Sequence, residues 1–324
     1  MSKFRVLITD HEYKTINNEI RILNELEDVE VIDLHSRDED TIINIARDCD
    51  AIIVQFAHIN EKVINSLNKC KIIAKYAIGY DGIDVDAATR KNIYVTNLHD
   101  YCSDEVSTHA IALLMQAARR TSEFGERVSR GEWYGMGIKF QNLQNCTVGV
   151  ISYGRIARKF VHKCKPFCKE ILVYDKYDSD YDILEQGAIP SGFENIIKNS
   201  DYISIHSSLT PETKHMFNKK VFRKMKSTAS IINVARGELI STEDLIWALE
   251  NKEIAYAALD VLEVEPPKKD LPLLSMENVI ITPHTAWYSE ESQRILQSTP
   301  AEEVVRVLSG GKPINLVNKE MLLS

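Results

Sequence analysis

The 324 residues, 44% hydrophobic and 27% charged with a formal net charge of −8, suit a globular chain of about two domains with a sizeable core. Scattered lysines and arginines, with no basic run interleaved with aromatics, exclude a nucleic-acid groove, and no apolar run approaches the length of a membrane span. The acidic balance offers a carboxylate substrate no long-range attraction, so such a substrate needs a local cation, for which arginine is best suited.

Met1-Ser2-Lys3-Phe4-Arg5-Val6-Leu7-Ile8 leads straight into a strand-like segment, without the apolar stretch and small-residue site of a signal peptide, so a cytoplasmic location is expected. Short apolar runs alternating with helical periodicity predict parallel α/β sheets rather than a sandwich or a bundle. The first series places strands at Phe4–Asp10, Val29–His35, Ala51–Phe56, Ile72–Ala77 and Tyr94–Asn97, with amphipathic stretches such as Glu19–Glu27 and Glu61–Asn68 between them. A long helical pattern from Ser103 to Arg120, with Val106, Ile111, Leu113 and Leu114 on one side, then breaks the rhythm, and a polar, glycine-bearing stretch follows from Gly131 to Asn145.

A second series, Thr147–Ile151, Ile171–Asp175, Tyr202–His206, Ser230–Ala235, Ile254–Val261 and Val279–Pro283, has the doubly wound pattern of a nucleotide fold. Beyond Pro283 a helix with Ser289 as N-cap runs to Gly310-Gly311, and Pro300 within it is expected to kink or restart it. This tail has no strand partner in the second series and is expected to return to the first domain. The expected fold class is therefore α/β, with two Rossmann-like or flavodoxin-like domains on parallel sheets. Residues 1–102 and 288–324 would form a discontinuous substrate domain, and residues 103–287 an inserted nucleotide domain. The six cysteines (Cys49, Cys70, Cys102, Cys146, Cys164, Cys168) form no CxxC or Cys/His cluster, so free, mostly buried thiols and no metal are expected. Pro166 argues against a shared helical face for Cys164 and Cys168.

Behind the strand ending at Ile151 comes Ser152-Tyr153-Gly154-Arg155-Ile156-Ala157, and a helix opens at once. In the G-x-G-x-x-G register only Gly154 matches outright, with Ser152 in the first place and Ala157 in the third. A second-place glycine lets the backbone approach a pyrophosphate and a small third residue lets helix and strand touch, whereas Ser152 must reach angles that glycine adopts more easily. The next strand closes on Asp175, 18 residues beyond Ala157, near the spacing at which a carboxylate takes the adenosine ribose hydroxyls. An acid there repels a 2′-phosphate and favours NAD over NADP, with Lys176 leaving a small opening for the latter. A plain strand-turn-helix with a surface aspartate is the alternative reading of this stretch alone.

Three later segments carry more: Ile231-Ile232-Asn233-Val234-Ala235-Arg236-Gly237-Glu238, Ala257-Ala258-Leu259-Asp260-Val261-Leu262-Glu263-Val264-Glu265-Pro266, and Ile281-Thr282-Pro283-His284-Thr285-Ala286-Trp287-Tyr288-Ser289. In this order they resemble the D-isomer-specific 2-hydroxyacid dehydrogenases. The similarity covers essentially the whole chain, including Gly79-Tyr80-Asp81-Gly82-Ile83-Asp84, Asp104-Glu105-Val106 and His206-Ser207-Ser208-Leu209-Thr210-Pro211-Glu212-Thr213. Within the family, Trp287-Tyr288-Ser289-Glu290 is most similar to the branch containing the C-terminal-binding-protein corepressors.

The resemblance and the chemistry of the side chains converge on the same tasks. Arg236, at a strand end before a turn glycine, presents a planar fork to a substrate carboxylate, a geometry lysine does not reproduce. His284 donates a proton to the carbonyl oxygen as a keto acid is reduced and takes it back in oxidation. Glu265 orients that imidazole and stabilises its protonated form. The resemblance further implies NAD contacts from Gly154, Arg155, Ile156, Asp175, His206, Ser207, Thr213 and Val234, with Asp260 meeting the nicotinamide carboxamide. It also implies a substrate-carboxylate loop at Ile78 and Gly79, Tyr101 facing the substrate pocket, and a homodimer formed through the 103–120 helix and the 131–145 arm. Trp287 would add an aromatic wall, although ordinary core packing is its other reading.

Singly, Arg236, Glu265 and His284 also read as a helix-cap arginine, a solvated loop and a turn histidine; together, at or just beyond strand ends, they read as a site. The expected function is hydride transfer between NAD(H) and a small 2-keto or D-2-hydroxy acid. The alternative is an NAD-sensing, corepressor-like or scaffold binding module with little turnover; a relative acting on formate or phosphite suits the aromatic wall less well. Ser152, Ala157 and Ser208 depart from the family pattern and are expected to weaken or reshape NAD contacts rather than abolish them.

Overall fold

The computed structural model describes residues 4–135, 137, 140–177 and 180–322. Met1, Ser2 and Lys3, and Met136, Ile138 and Lys139 of the expected arm, lie outside the described residues. The chain begins with β1 (Phe4–Ile8), α1 (Asn17–Leu23), β2 (Val29–Asp33), α2 (Glu39–Ala46), β3 (Ala51–Val54), α3 (Glu61–Ser66), β4 (Ile72–Lys75), α4 (Val85–Arg90) and β5 (Tyr94–Thr96). It continues with α5 (Ser103–Arg119), α6 (Thr121–Ser129), β6 (Thr147–Ile151), α7 (Arg155–Cys164), β7 (Glu170–Tyr174), α8 (Asp180–Glu185), β8 (Ile189–Pro190) and α9 (Phe193–Asn199). Last come β9 (Tyr202–Ile205), α10 (Lys219–Phe222), β10 (Ser230–Asn233), α11 (Thr242–Glu250), β11 (Tyr256–Leu259), β12 (Val279–Ile281) and α12 (Glu290–Leu308). Two compact units result, Met1–Tyr101 with Ser289–Ser324, and Cys102–Tyr288.

In the first unit five parallel strands pair in the order β2-β1-β3-β4-β5. β3 and β4 are buried along their whole length, which is why they read as continuous apolar runs rather than alternating ones. Asp38, Asn60 and Asp84 start α2, α3 and α4 by accepting the Thr41, Val63 and Ala87 amides, the side-chain caps that helix N-termini require. β3 stops at Val54, short of the expected Phe56, because the Gln55, Phe56 and Ala57 amides turn to the buried Asp10 carboxylate instead of a neighbouring strand.

The chain's last helix, α12, belongs to this unit and packs on α1, β3 and β4. Ser289 caps it in a reciprocal box with Ser292. The expected restart at Pro300 does not occur: α12 is continuous, with Pro300 buried beside Leu296, Ala301 and Val304, and this packing offsets the missing amide bond. The tail then reaches the sheet edge, where Asn318 Oδ1 accepts the Val95 amide at 2.9 Å and Leu316 bridges Thr96.

The second unit pairs its seven parallel strands in the order β12-β11-β10-β9-β6-β7-β8. The winding reverses between β6 and β9, and a crevice for ligands opens at the carboxyl ends of strands at such a point. The expected strands end one or two residues early, so Asp175, His206, Ala235 and Pro283 fall in loops just beyond the ladders. β8 is only two residues long and leaves no periodic signal. The 103–120 helix stops at Arg119, since Arg120 turns left-handed at φ +50° and lays its guanidinium 3.7 Å from the Tyr256 ring centroid. All six cysteines are free and buried. As Pro166 implies, Cys164 and Cys168 share no helical face, since α7 ends at Cys164; their sulfurs still lie 4.0 Å apart, because a 3₁₀ turn over Lys165–Phe167 brings them back together.

Candidate active site

The polar candidates of the second unit gather where its strands end. Behind β10 the fully buried Asn233 shapes the turn, its Oδ1 accepting the Ala235 amide at 3.0 Å and its Nδ2 donating to the Arg236 carbonyl at 2.8 Å. Arg236 follows in extended conformation, half-buried, with Nη1 donating to the Ala235 carbonyl at 2.8 Å. Gly237 lies so close to the loop behind β11 that a Cβ would overlap the Leu262 carbonyl and the Glu263 amide, so any side chain would force the two loops apart. In that neighbouring loop Glu265 Oε1 accepts the Leu262 amide at 2.8 Å, and Oε2 lies 2.6 Å from His284 Nδ1.

His284, behind β12, has φ +51°, in the left-handed region that costs a non-glycine residue about 1 to 2 kcal/mol. Asp260 holds it there. The Asp260 carbonyl accepts the His284 amide at 2.8 Å; Oδ1 accepts Thr282 Oγ1 at 2.5 Å and the Thr285 amide at 3.0 Å; Oδ2 accepts the Ala286 amide at 2.9 Å. The sequence assigned Asp260 to the cofactor alone, whereas the folded chain also makes this buried carboxylate the anchor of the 282–286 segment. His109 on α5 backs it up, with Nε2 2.9 Å from Thr282 Oγ1; since that hydroxyl donates to Asp260, it accepts from the imidazole. His109 and Thr282 escaped the sequence reading because each acts only through a tertiary contact, whereas Asn233 bonds to the second and third residues after it and was missed although its partners are local.

Facing a carboxylate, Nδ1 of His284 carries a proton, which leaves Nε2 as the nitrogen that can exchange one with a ligand. Burial by itself pushes the imidazole down, but the Glu265 hydrogen bond and charge outweigh it, with a smaller contribution from Asp260, and the net pKa is raised despite the opposing Arg236. Burial likewise raises the Glu265 carboxyl, but His284, the Leu262 amide and Arg236 overcome this and hold it below the ordinary carboxylate range. The pair thus favours carboxylate and imidazolium together, beside a guanidinium that can take an anion.

At the switch point Ser152 has φ +71°, the left-handed turn that the first glycine of the pattern would supply without strain. Gly154 is the N-cap of α7 and has no side-chain cap, and a Cβ on it would meet only open space. First-turn amides lack intrahelical acceptors, so this end of α7 suits a pyrophosphate. Arg155 is exposed and Ile156 half-buried on that turn, while Ala157 is buried where helix meets strand. Asp175 braces the loop, Oδ2 accepting the Tyr153 amide and Oδ1 the Tyr177 amide, each at 2.7 Å. His206 Nε2 lies 2.9 Å from Ser204 Oγ, but its buried Nδ1 has no partner among the described residues, and burial pushes the imidazole down to about 3, so the ring is neutral. Val234 and Ser207 are buried, and Thr213 Oγ1 donates to the Ser208 carbonyl at 2.8 Å while accepting the Thr210 amide at 2.7 Å. The open cradle over Gly154, the uncapped helix and the orphaned His206 nitrogen fit a dinucleotide.

Trp287, half-buried, meets Tyr288 edge-on with ring centroids 5.6 Å apart. In the first unit Ile78 and Gly79 follow β4, and Asn97 Nδ2 pins the Ile78 carbonyl at 2.7 Å. Tyr101, half-buried, ends that unit's first segment. Among the described residues His11, Asp33 and His35 bring ligand-type atoms within 4.8 Å of one another. His11 Nδ1, however, accepts the Tyr13 amide at 3.1 Å, which puts its proton on Nε2 toward Asp33, so the group is a hydrogen-bonded cluster rather than a set of open metal ligands.

A doubly wound sheet with an uncapped glycine loop at its switch point and a carboxylate–imidazole–guanidinium set at its strand ends is that of a nucleotide-dependent oxidoreductase. Residues 111–286 match the family model described as the NAD binding domain of D-isomer specific 2-hydroxyacid dehydrogenases. A glyoxylate reductase of Korarchaeum cryptofilum is 37% identical over 286 residues, spanning 87% of this chain and 86% of that protein. A D-3-phosphoglycerate dehydrogenase of Methanocaldococcus jannaschii is 36% identical over 97% of this chain, which spans 59% of its length. The crystal structure of a D-lactate dehydrogenase from Aquifex aeolicus, complexed with NAD and lactic acid, superposes with a TM-score of 0.85 at 26% identity, covering 94% of this chain and 96% of that one. The chain belongs to the D-isomer specific 2-hydroxyacid dehydrogenase family. It is an NAD-dependent oxidoreductase of hydroxy acids, and NAD is its cofactor. Among the described residues no helix is long and apolar enough to cross a membrane.

Proposed function

We propose that the protein reduces a small 2-keto acid to the D-2-hydroxy acid and runs the reverse oxidation, with Arg236 binding the carboxylate and His284, oriented by Glu265, as acid and base. The observation that carries this reading is the 2.6 Å contact between Glu265 and His284 Nδ1, since it fixes the tautomer and leaves Nε2 to face the substrate. NADH, when bound, supplies the hydride. Arg236 holds the two carboxylate oxygens with its planar fork, so that the carbonyl carbon has one orientation. His284 Nε2 delivers a proton to the carbonyl oxygen as negative charge builds there, and Glu265 stabilises the imidazolium before that transfer.

Cofactor contacts are assigned to Gly154, Arg155, Ile156, Asp175, His206, Ser207, Thr213, Val234 and Asp260, on the residues 103–287 that we take as the NAD-binding domain. Substrate contacts are assigned to Ile78, Gly79 and Tyr101 of the substrate domain, 1–102 with 288–324, and to Trp287. The name of the Korarchaeum relative puts glyoxylate at the head of the candidates. We further propose a cytoplasmic homodimer. Its support is Trp133 and Tyr134, 90% and 63% exposed, beside Phe124 and Val128 around a surface hollow of about 280 Å³ on the α6 side of the arm.

The test is NADH oxidation with glyoxylate, pyruvate, hydroxypyruvate, 2-ketobutyrate, 2-ketoisocaproate and phenylpyruvate. Turnover of at least one, giving the D-hydroxy acid on chiral chromatography, is expected. Tight NADH binding with no turnover of any would put the binding-module reading first, the one suggested by the Trp287-Tyr288-Ser289-Glu290 stretch.

A further inference from the structure

A second carboxylate–imidazole pair starts from the same loop as Glu265, with Glu263 meeting His215 of a distant segment. Glu263 Oε1 is 2.5 Å from His215 Nε2, and Oε2 accepts the Thr242 amide, the first of α11, at 2.7 Å. His215 is itself held in a left-handed turn, φ +51°, with its amide donating to the Glu238 carbonyl at 2.8 Å and its carbonyl accepting Asn218 Nδ2 at 3.0 Å. One carboxylate therefore ties the loop behind β11 to two segments, the 213–218 turn and the start of α11.

At its start the loop is also held by Leu262, which packs in the core and donates its amide to Glu265. Val264 is 61% exposed, Leu262 is buried, and the backbone between them rests against Gly237, which has no side chain to grip. Glu263 is two residues from Glu265, and through Gly237 the same contact bears on Arg236. A shift of about 1 Å in such a loop is enough to cost a large part of a catalytic rate. Burial pushes the Glu263 carboxyl up, but the Thr242 hydroxyl and amide and His215 overcome it, so the group is held ionised below its ordinary range. An ionised carboxylate at the start of α11 also suits the positive end of that helix.

We propose that Glu263, clamped between His215 and the α11 N-terminus, is a positioning residue that aims Glu265 at His284. The inference rests on the reading of His284 and Glu265 as the acid–base pair. Neither Glu263 nor His215 touches the reacting atoms. Their effect reaches the chemistry through the imidazole, which is faced by Glu265, Arg236 and Asp260. When Glu265 drifts from His284, the support for the protonated ring weakens and its pKa falls.

The experiment compares pH profiles of kcat/KM for keto-acid reduction, NADH affinity by fluorescence and melting temperature for the unmodified protein, Glu263→Gln, Glu263→Ala, His215→Asn and Glu265→Gln. Asparagine tolerates the left-handed turn at 215 but is too short to reach Glu263, so His215→Asn opens the clamp from its opposite side. Glu265→Gln should move the alkaline limb to lower pH. Glu263→Ala and His215→Asn should move it in the same direction, lower kcat about tenfold and leave NADH affinity unchanged, with Glu263→Gln, which keeps an acceptor for Thr242, intermediate. If Glu265→Gln moves the limb while Glu263→Ala and His215→Asn leave it in place, the positioning role is wrong and the acid–base reading stands. If Glu265→Gln leaves the limb in place, the acid–base reading is wrong and this inference falls with it.

Discussion

Two sets of strand-end loops in the second unit meet their tasks by different means. The loop behind β6 departs from the expected residue types, with serine for the first glycine, yet keeps the backbone shape: Ser152 takes φ +71° and the uncapped end of α7 stays open. The loops behind β10, β11 and β12 keep the expected residue types, and their shape comes from side chains bonding to backbone, Asn233 around Arg236, Glu265 to Leu262 and Asp260 along 282–286. A contact made by main-chain amides tolerates any residue that can reach the angles. A proton transfer requires one particular nitrogen at one particular place.

Breaking the loops shaped by side chains should therefore cost most. His284→Ala is expected to lower kcat by about a hundredfold or more, in line with a positioned proton donor, while NADH affinity stays near that of the unmodified protein. Near-normal reduction of every keto acid by that variant would rule out the assignment. Glu265→Gln should cost less in rate and show itself in pH. Reduction needs the imidazolium, so activity falls as pH rises through the His284 pKa, which Glu265 raises; without that charge the fall begins at lower pH. An unmoved profile would mean that another group donates the proton.

The loop behind β6 should respond more mildly. Asp175 braces the glycine loop through the Tyr153 and Tyr177 amides, so Asp175→Ala should weaken NADH binding as well as narrow the preference for NAD over NADP. Equal kinetics of the unmodified protein with NADH and NADPH would remove the discriminating role. The smallest effect is expected from Ser152→Gly, which relieves a left-handed serine and should raise stability in chemical denaturation by about 1 kcal/mol, with little change in turnover. A loss of stability would show that the Ser152 side chain contributes more than its backbone strain costs.

Patterns local in the chain were legible without a structure. The alternation of apolar runs and helical stretches located the central strands to within a residue or two, since buried parallel strands are continuously apolar. Ser289 was readable as a cap because the signal lies within three residues, and Arg236, Glu265 and His284 stood out because strand ends are where such sheets place their chemistry. Contacts between distant segments decided the rest. Phe56 leaves β3 because Asp10, 46 residues earlier, claims its amide, and Pro300 stays within one helix because its buried face is packed. Cys164 and Cys168 meet despite Pro166, since a tight turn replaces the helix it ends. His284 keeps a strained angle only because Asp260, 24 residues away, accepts donors along its whole segment, a requirement that no window of neighbouring residues contains.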